Sequence, residues 1–185
     1  MAAIREGNKQ VLLVVDVQVG VMRNAWDAPR IIGNIGTAVA KARKQGVPVI
    51  WVQHTDDELA FGTPDWQLVP ELAAAEGEIR IDKQFNSSFE QTSLEETLAQ
   101  FGVTRIVLAG AATNWCIRAT AYGALDRGYD LTLIKDAHTT GTMAFEDGSK
   151  IEAADIIREL NIAMTWLSYP GRTNSTASVE DIEFA

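Results

Sequence analysis

Three reactive side chains stand where a short apolar run gives way to a polar segment. Asp16 closes the run LLVV, Cys116 follows the turn GAAT, and Lys83 follows the stretch IRI. A carboxylate, a thiol and an ammonium group are side chains that enzymes use for proton transfer, nucleophilic attack and charge stabilisation. What they can do depends on whether the fold brings them to one cleft.

Cys116 is the strongest candidate nucleophile. It falls in the first turn of a helix that we expect to begin at Thr113 as N-cap. Free backbone N–H groups and the helix dipole favour an anion there, which predicts a lowered thiol pKa and N–H groups able to hold an oxyanion. The alternative is a buried cysteine that only fills space.

Asp16 and Lys83 each have ordinary alternatives. An aspartate at the end of a strand can cap a loop or bind a metal ion. A lone lysine is usually an exposed surface residue. With two histidines and one cysteine in the chain, a zinc site of the usual kind is hard to assemble, so we expect neither a metal nor another cofactor.

The two histidines are rival general bases for Cys116, because cysteine–histidine pairs are common nucleophile systems. His54 ends the apolar run WVQH, and His138 lies in the weaker context KDAHTT. Asp56 and Asp57 beside His54 also suit a metal, although no second histidine follows in that loop.

Apolar runs alternate with amphipathic segments along the chain. The runs predicted as strands lie at 11–15, 47–52, 105–109, 131–134 and 162–167. The segments predicted as helices lie at 28–45, 93–101, 113–127 and 145–160. This order predicts one α/β domain over residues 1–185, with three α/β/α layers and a central, mostly parallel sheet of five or six strands in a Rossmann-like arrangement. Ligands bind such sheets beyond the carboxyl ends of the strands.

Two stretches are predicted to lack regular structure. Residues 56–79 hold no convincing strand and indicate a long shaped loop. The tail after Pro170 is rich in Ser, Thr and Asn, and we expect it to be loosely held or to pack on a partner. The aromatic side chains Phe61, Trp66, Phe85 and Trp115 fall in loops near the ligand-binding edge, where they either pack the loops or line a pocket.

The composition excludes several classes of partner. The formal net charge is −9 and the pI about 4.7, so we expect neither a nucleic acid nor an anionic membrane as partner. No apolar run approaches the ~20 residues that span a bilayer. We expect no signal peptide, and the single cysteine favours a reducing, cytoplasmic setting.

Several segments together resemble one enzyme family. They are LLVVDVQ at 12–18, the strand-ending His54, KQFNSSFEQTSLEETL at 83–98, GAATNWCIRAT at 110–120 and GYDLTLIKDAHTT at 128–140. In this order they resemble the isochorismatase-like cysteine hydrolases, which include nicotinamidases and N-carbamoylsarcosine amidase. The resemblance covers most of the chain and implies an isochorismatase-like hydrolase fold.

The resemblance also implies a catalytic triad. Asp16 would take the thiol proton of Cys116, and Lys83 would stabilise the charged pair. It further implies a cis peptide bond between Ala111 and Ala112, an oxyanion hole from the N–H groups of Ala112 and Cys116, and assembly into dimers or tetramers.

Departures from the family pattern narrow the expected activity. Nicotinamidases carry an Asp-x-His pair and a further histidine, whereas this chain has Gln53 before His54 and no histidine downstream in the loop. Val19 and Val21 replace the asparagine and phenylalanine that often follow the DxQ motif. The resemblance therefore implies cleavage of a small amide, carbamoyl, urea or lactam rather than nicotinamidase activity.

Eight residues are expected to contact the small-molecule substrate. They are Gln18, Val21, His54, Phe61, Trp66, Phe85, Asn114 and Trp115. Two other hypotheses stay open. One is a hydrolase in which His54 and Cys116 form the reactive dyad, and the other is a non-catalytic binding protein on the same fold.

Overall fold

The structure is a computed structural model that describes residues 5–184. Its strands are β1 Lys9–Val15, β2 Val49–His54, β3 Ile79–Lys83, β4 Val103–Ala111, β5 Asp130–Thr139, β6 Met143–Ala144, β7 Lys150–Ile151 and β8 Asn174–Ala177. Its α-helices are α1 Val19–Met22, α2 Ala28–Lys44, α3 Leu94–Gln100, α4 Arg118–Asp126 and α5 Ala153–Trp166, and a π-helix spans Thr113–Ile117. None of the helices in this part of the chain is long and apolar enough to cross a membrane.

The main sheet has the strand order β3-β2-β1-β4-β5-β8, and every neighbouring pair in it is parallel. This confirms the predicted α/β class. Because the strands are parallel, their carboxyl ends lie along one edge. The order reverses between β1 and β4, which is where ligands bind sheets of this type. Val15 near the end of β1 pairs with Val52 of β2 and Gly110 of β4, so the three strand ends are level.

Both faces of the sheet are buried, as the continuous apolar runs predict. In β1, Leu13 and Val15 face the core shared with α3, α4 and α5, whereas Leu12 and Val14 face the core shared with α2 and the C-terminal segment. These are the three predicted layers. Full burial of such a side chain contributes about 1.5–3 kcal/mol, so the two cores hold the strand ends in fixed positions.

Gly110 allows the closest approach between two strands at this edge. Its φ is +129°, and a Cβ atom there would lie 2.0 Å from the carbonyl oxygen of Val15. Any side chain would therefore push β4 away from β1 immediately before Asp16. Only glycine keeps the two strand ends at this separation.

The helix predicted at 145–160 is present but begins later and extends further, and the prediction of a strand at 162–167 is wrong. The segment from Ala153 to Trp166 is one helix, and the residues before it form the two-stranded β6–β7 hairpin. Leu160 and Met164 are buried at helical spacing, whereas Ile162 and Trp166 are exposed. The run looked like a strand because its solvent-facing positions are also apolar.

The C-terminal tail is more ordered than expected. β8 adds to the sheet beside β5, and the side chains of Val179, Ile182 and Phe184 are buried in the core on the α2 face. The polar composition hid this strand because it lies at the sheet edge, where its side chains are only partly buried. The expected long loop at 56–79 is confirmed up to the start of β3.

Candidate active site

The structure brings four of the candidate side chains to the carboxyl edge of four neighbouring strands. Asp16 follows β1, His54 ends β2, Lys83 ends β3, and Cys116 lies in the π-helix after β4. His54 and Lys83 are directly opposite each other in the β2–β3 register. These positions come from sheet topology, which explains how residues so distant in sequence meet.

The Lys83 ammonium connects the other three side chains. Its Nζ lies 2.7 Å from Asp16 Oδ2, 3.3 Å from Cys116 Sγ and 3.2 Å from His54 Nδ1. The side chains of Lys83 and Asp16 are 0% and 2% exposed. A buried lysine is stable only when its charge and its N–H donors are matched, and Asp16 provides the opposite charge.

Burial sets the protonation of the nucleophile. Loss of solvent and, after it, the charge of Asp16 raise the pKa of the Cys116 thiol to about 12, and the Lys83 ammonium acts in the opposite direction. The expectation of a lowered thiol pKa is therefore wrong, because desolvation and a nearby carboxylate outweigh the helix start. Cys116 rests as a neutral thiol.

Asp16 can receive that proton. Burial raises the pKa of its carboxyl group above the ordinary value, with the Lys83 ammonium acting in the opposite direction. The carboxylate interacts with the Cys116 thiol, and its Oδ1 accepts no hydrogen bond from a nitrogen or oxygen donor within residues 5–184. The raised pKa and the free oxygen both suit a proton acceptor.

The turn before Cys116 differs from the prediction. The chain continues from Ala112 into a π-helix rather than an α-helix, and Thr113 makes no side-chain cap. The Thr113 hydroxyl instead donates to Nδ1 of His138 at 2.9 Å. The peptide bond between Ala111 and Ala112 is cis, at the position that the family resemblance implies.

His138 braces this turn through hydrogen bonds at both of its ring nitrogens. Asn161 donates its amide nitrogen to the carbonyl of Lys135, so its Oδ1 accepts from Nε2–H of His138 at 3.0 Å. The Nδ1 lone pair then accepts from Thr113. Burial lowers the pKa of His138 to about 4, so the ring is neutral and both nitrogens are engaged.

His54 contacts Lys83 and Asp56. An ammonium group can only donate, so Nδ1 of His54 accepts from Lys83, and Nε2–H donates to Asp56 Oδ2 at 3.0 Å. Asp56 Oδ1 in turn accepts from the backbone N–H groups of Glu58 and Leu59. The sequence presents Asp56 only as a possible metal ligand. Its position two residues after the strand-ending His54 is the signal that could have revealed the hydrogen bond between the two side chains.

Gln18 holds the end of β2 in place. Its Oε1 accepts from the backbone N–H of His54 at 2.8 Å, and its Nε2 donates to the carbonyl oxygens of His54 and Trp66. Trp66 is buried, and its indole N–H donates to Thr55 Oγ1. Gln18 and Trp66 are both expected to contact substrate, but the polar groups of their side chains form hydrogen bonds within the protein.

Two cavities open beside these groups. The first, which we call the lysine cavity, has a volume of about 300 Å³ and is lined by Thr55, Phe61, Asp82, Lys83, Gln84, Phe85 and Gln91. The second, the histidine cavity, has a volume of about 320 Å³ and is lined by Gly20, Val21, Arg23, His54, Asp56, Glu58, Leu59 and Asp65. Both fall at the lower end of the size range for small-molecule sites.

The remaining candidates lie nearer the surface. Phe61 and Phe85 are 66% and 44% exposed at the lysine cavity, and Trp115, next to Cys116, is 53% exposed. Asn114 accepts from the Thr140 hydroxyl and donates to Met143 Sδ, so its amide holds the turn. Among residues 5–184, no group of three or more His, Cys, Asp or Glu side chains is arranged to hold a metal ion.

Comparison with known proteins identifies relatives that match most of the chain. The chain is 34% identical over 146 residues to a streptothricin hydrolase of Streptomyces noursei, covering 75% of this chain and 57% of that one. It is 30% identical over 178 residues to the ureidoacrylate amidohydrolase RutB of Methylobacterium radiotolerans, covering 70% and 67%. This chain thus spans little more than half the length of the streptothricin hydrolase.

A solved structure shares the fold. The crystal structure of an isochorismatase from Pseudomonas putida KT2440 superposes with a TM-score of 0.83 at 28% identity, covering 96% of this chain and 93% of that one. The family model for the isochorismatase domain matches residues 10–161. Since that match spans most of the sequence, the chain belongs to the isochorismatase family.

Proposed function

We propose that the protein is a cysteine hydrolase that cleaves a non-peptide amide-type C–N bond in a small amide, carbamoyl, urea or lactam compound. The observation that carries the proposal is the buried Lys83 ammonium, which touches both the Asp16 carboxylate and the Cys116 sulfur. A neutral thiol beside a buried carboxylate and a fixed cation can be activated without histidine. The names of two relatives, streptothricin hydrolase and ureidoacrylate amidohydrolase, support a hydrolase of this kind.

In the acylation step, the thiol proton of Cys116 passes to Asp16 as Sγ attacks the substrate carbonyl carbon. As the Asp16 carboxylate takes the proton, its negative charge is replaced by one on the carbonyl oxygen, and the Lys83 ammonium stabilises the charged groups around it. The tetrahedral intermediate then collapses, the C–N bond breaks, and the proton held on Asp16 goes to the leaving nitrogen. The product is an amine or ammonia together with a Cys116 thioester.

In the deacylation step, Asp16 accepts a proton from a water molecule that attacks the thioester. The intermediate collapses with release of the acid, and the proton returns to the sulfur. The chain then has its starting charges again. One carboxylate therefore serves as base and acid in turn, which a raised pKa favours.

The N–H groups of Ala112 and Cys116 are the proposed oxyanion donors. The N–H of Ala112 is not used in a hydrogen bond among the residues that the structure describes. The π-helix after it and the Thr113–His138 hydrogen bond together hold this turn. A fixed donor gains most when charge develops in front of it.

A dyad of His54 and Cys116 has less support. The Nδ1 lone pair of His54 accepts from Lys83, and its Nε2–H donates to Asp56. Neither nitrogen is free to take the thiol proton. The structure also records no hydrogen bond between His54 and Cys116, whereas it records one between Lys83 and Cys116.

We also propose that the protein forms a homo-oligomer. Trp166 and Ile162 on the outer face of α5 are 82% and 53% exposed, which is costly for large apolar side chains in water. Sedimentation analysis of the wild type and Trp166→Glu tests this. A dimer or tetramer is expected for the wild type, and a monomeric wild type contradicts the proposal.

The proposed function is tested with a panel of small amides, ureas and lactams, scored for release of amine or ammonia. The wild type should turn over at least one compound, and Cys116→Ala should lose at least ~10⁴-fold of that rate with an unchanged fold. Rapid quenching and intact-mass analysis should find the acyl group on Cys116. Full activity of Cys116→Ala contradicts the mechanism, and a thiol that forms no adduct with any compound supports a non-catalytic binding protein.

A further inference from the structure

We propose that His54 and Asp56 are positioning residues that hold the Lys83 ammonium in reach of both Asp16 and Cys116. The inference rests on the proposed function, because it gives a role to two side chains that lie beside Asp16, Lys83 and Cys116. Three separate observations support it. Each N–H donor of Lys83 has an acceptor, the contact with Asp56 fixes the tautomer of His54, and hydrogen bonds from Gln18 hold the backbone of β2 at His54.

The three N–H donors of Lys83 match three acceptors. They point to Asp16 Oδ2, His54 Nδ1 and Cys116 Sγ, at 2.7, 3.2 and 3.3 Å. The side chain is 0% exposed, so bulk water does not replace a missing acceptor. Without Nδ1, one buried donor is unsatisfied and the ammonium rotates or shifts to find another partner. Its contact with the sulfur of Cys116, which is the weakest of the three acceptors, is the first to be lost.

Asp56 determines which nitrogen of His54 faces the lysine. Because the carboxylate accepts from Nε2–H, the neutral ring keeps its lone pair on Nδ1. Backbone N–H groups hold the other carboxylate oxygen and lower the pKa of Asp56, so the group stays ionised. In the opposite tautomer an N–H of the ring would face an N–H of the ammonium.

The backbone gives this contact little freedom. His54 is opposite Lys83 in the β2–β3 register, and the Gln18 side chain binds both the N–H and the carbonyl of His54. Gln18 follows Asp16 by two residues, so the same short segment of chain carries the proposed base and fixes the position of the histidine. The role of His54 is therefore geometric, and no proton needs to pass through it.

The test uses three substitutions that move or remove one acceptor. In His54→Asn the side-chain oxygen can occupy the position of Nδ1, in His54→Gln it reaches the position of Nε2 instead, and His54→Leu has no acceptor. The readout is the rate of iodoacetamide alkylation, followed by intact mass, which reports only Cys116 because it is the single cysteine in the chain. Thermal unfolding of each variant serves as the control for folding.

His54→Asn should alkylate within about threefold of the wild-type rate, and His54→Gln and His54→Leu should be slower by at least about tenfold, because a displaced cation no longer stabilises the developing thiolate. Equal rates in all four proteins contradict the inference. So does a His54→Asn variant that reacts as slowly as His54→Leu.

A nitrogen-15 spectrum of the histidine rings tests the tautomer directly. The chain has two histidines, and comparison with His54→Asn identifies the signals of His54. The wild type should show a protonated Nε2 and an unprotonated Nδ1, and the reverse pattern contradicts the inference.

The two proposals can fail separately. Turnover that survives Cys116→Ala contradicts the proposed function. If turnover needs Cys116 but the alkylation rate is the same in the wild type and the His54 variants, only the role proposed for His54 and Asp56 is contradicted.

Discussion

Strand β3 has an ion pair at each of its ends, and the two pairs differ in burial and in the direction of their pKa shifts. At the carboxyl end, Lys83 and Asp16 are buried, and burial raises the pKa of the Asp16 carboxyl group. Just before the first residue of β3, Glu78 accepts from Arg43 and from the indole N–H of Trp51, and these bonds lower the pKa of Glu78 to about 2.

The difference shows that contact between opposite charges does not by itself fix the protonation of a carboxyl group. At Glu78 the hydrogen bonds from Arg43, supported by the one from Trp51, outweigh desolvation, so Glu78 is a stable anion. At the buried pair desolvation dominates. Asp16 is thus an anion that readily accepts a proton, and Glu78 is one that does not.

The largest difference between the two pairs should appear in turnover after loss of the carboxylate charge. Asp16→Asn should lower kcat by about 10³–10⁴-fold, because the proposed base is gone while the shape remains. Glu78→Gln is the matched control at the other end of the strand and should stay within twofold of the wild type. A near wild-type kcat for Asp16→Asn would show that the buried carboxylate matters no more for turnover than that of Glu78.

Loss of the cation should have a smaller but still large effect. Lys83→Met keeps an unbranched side chain of similar size without the charge and should lower kcat by about 10²–10³-fold. Since the carboxylate is needed as the base, wild-type activity should fall as the pH drops through the raised pKa of Asp16. Without Lys83 that pKa rises further, so the acid limb of the pH profile should move to higher pH. An unmoved limb argues against electrostatic coupling of the pair.

When both charges of the buried pair are removed, the free energy of unfolding should respond differently from the activity. The double substitution Asp16→Asn and Lys83→Met removes both buried charges, and asparagine tolerates the positive φ of position 16. Removing a buried pair together is often neutral or favourable, so the free energy of unfolding should be unchanged or higher by up to about 2 kcal/mol. Urea denaturation measures this, and a loss of several kcal/mol would mean that the pair stabilises the fold.

The surface pair should show the smallest effect, in stability alone. Glu78→Gln should lower the free energy of unfolding by about 1–2 kcal/mol at neutral pH. A carboxyl group whose pKa is lowered stabilises the fold above its unfolded value near 4.5, and this contribution disappears as the pH falls through about 2. The difference between variant and wild type should therefore vanish near pH 2, and a difference independent of pH would show that the charge is not the cause.

The sequence predicts the elements that are buried on both faces. Four strands of the main sheet appear as apolar runs or stretches that end at Asp16, His54, Lys83 and near Cys116, and the helices before β2 and β4 indicate parallel crossovers, whereas β2 and β3 are joined by a long loop. Their meeting at one edge follows from the same rule. The strand-end residues of the site could therefore be named without coordinates.

The rest depends on contacts that no local pattern encodes. The strand prediction at 162–167 fails because the exposed residues Ile162 and Trp166 of α5 are apolar, and β8 escapes prediction because an edge strand can be polar. The raised thiol pKa depends on burial and on Asp16, which lie outside the helix that suggested the opposite. The contact of Asp56 with His54 depends on a loop whose conformation the residue types leave open.

The most direct test is the ultraviolet absorbance of the Cys116 thiolate, taken as the difference between the wild type and Cys116→Ser from about pH 6 to 9. We expect no thiolate signal in this range, because the thiol keeps its proton until Asp16 takes it during attack on a substrate. A thiolate signal at neutral pH would contradict the proposed role of Asp16, since a preformed sulfur anion needs no base.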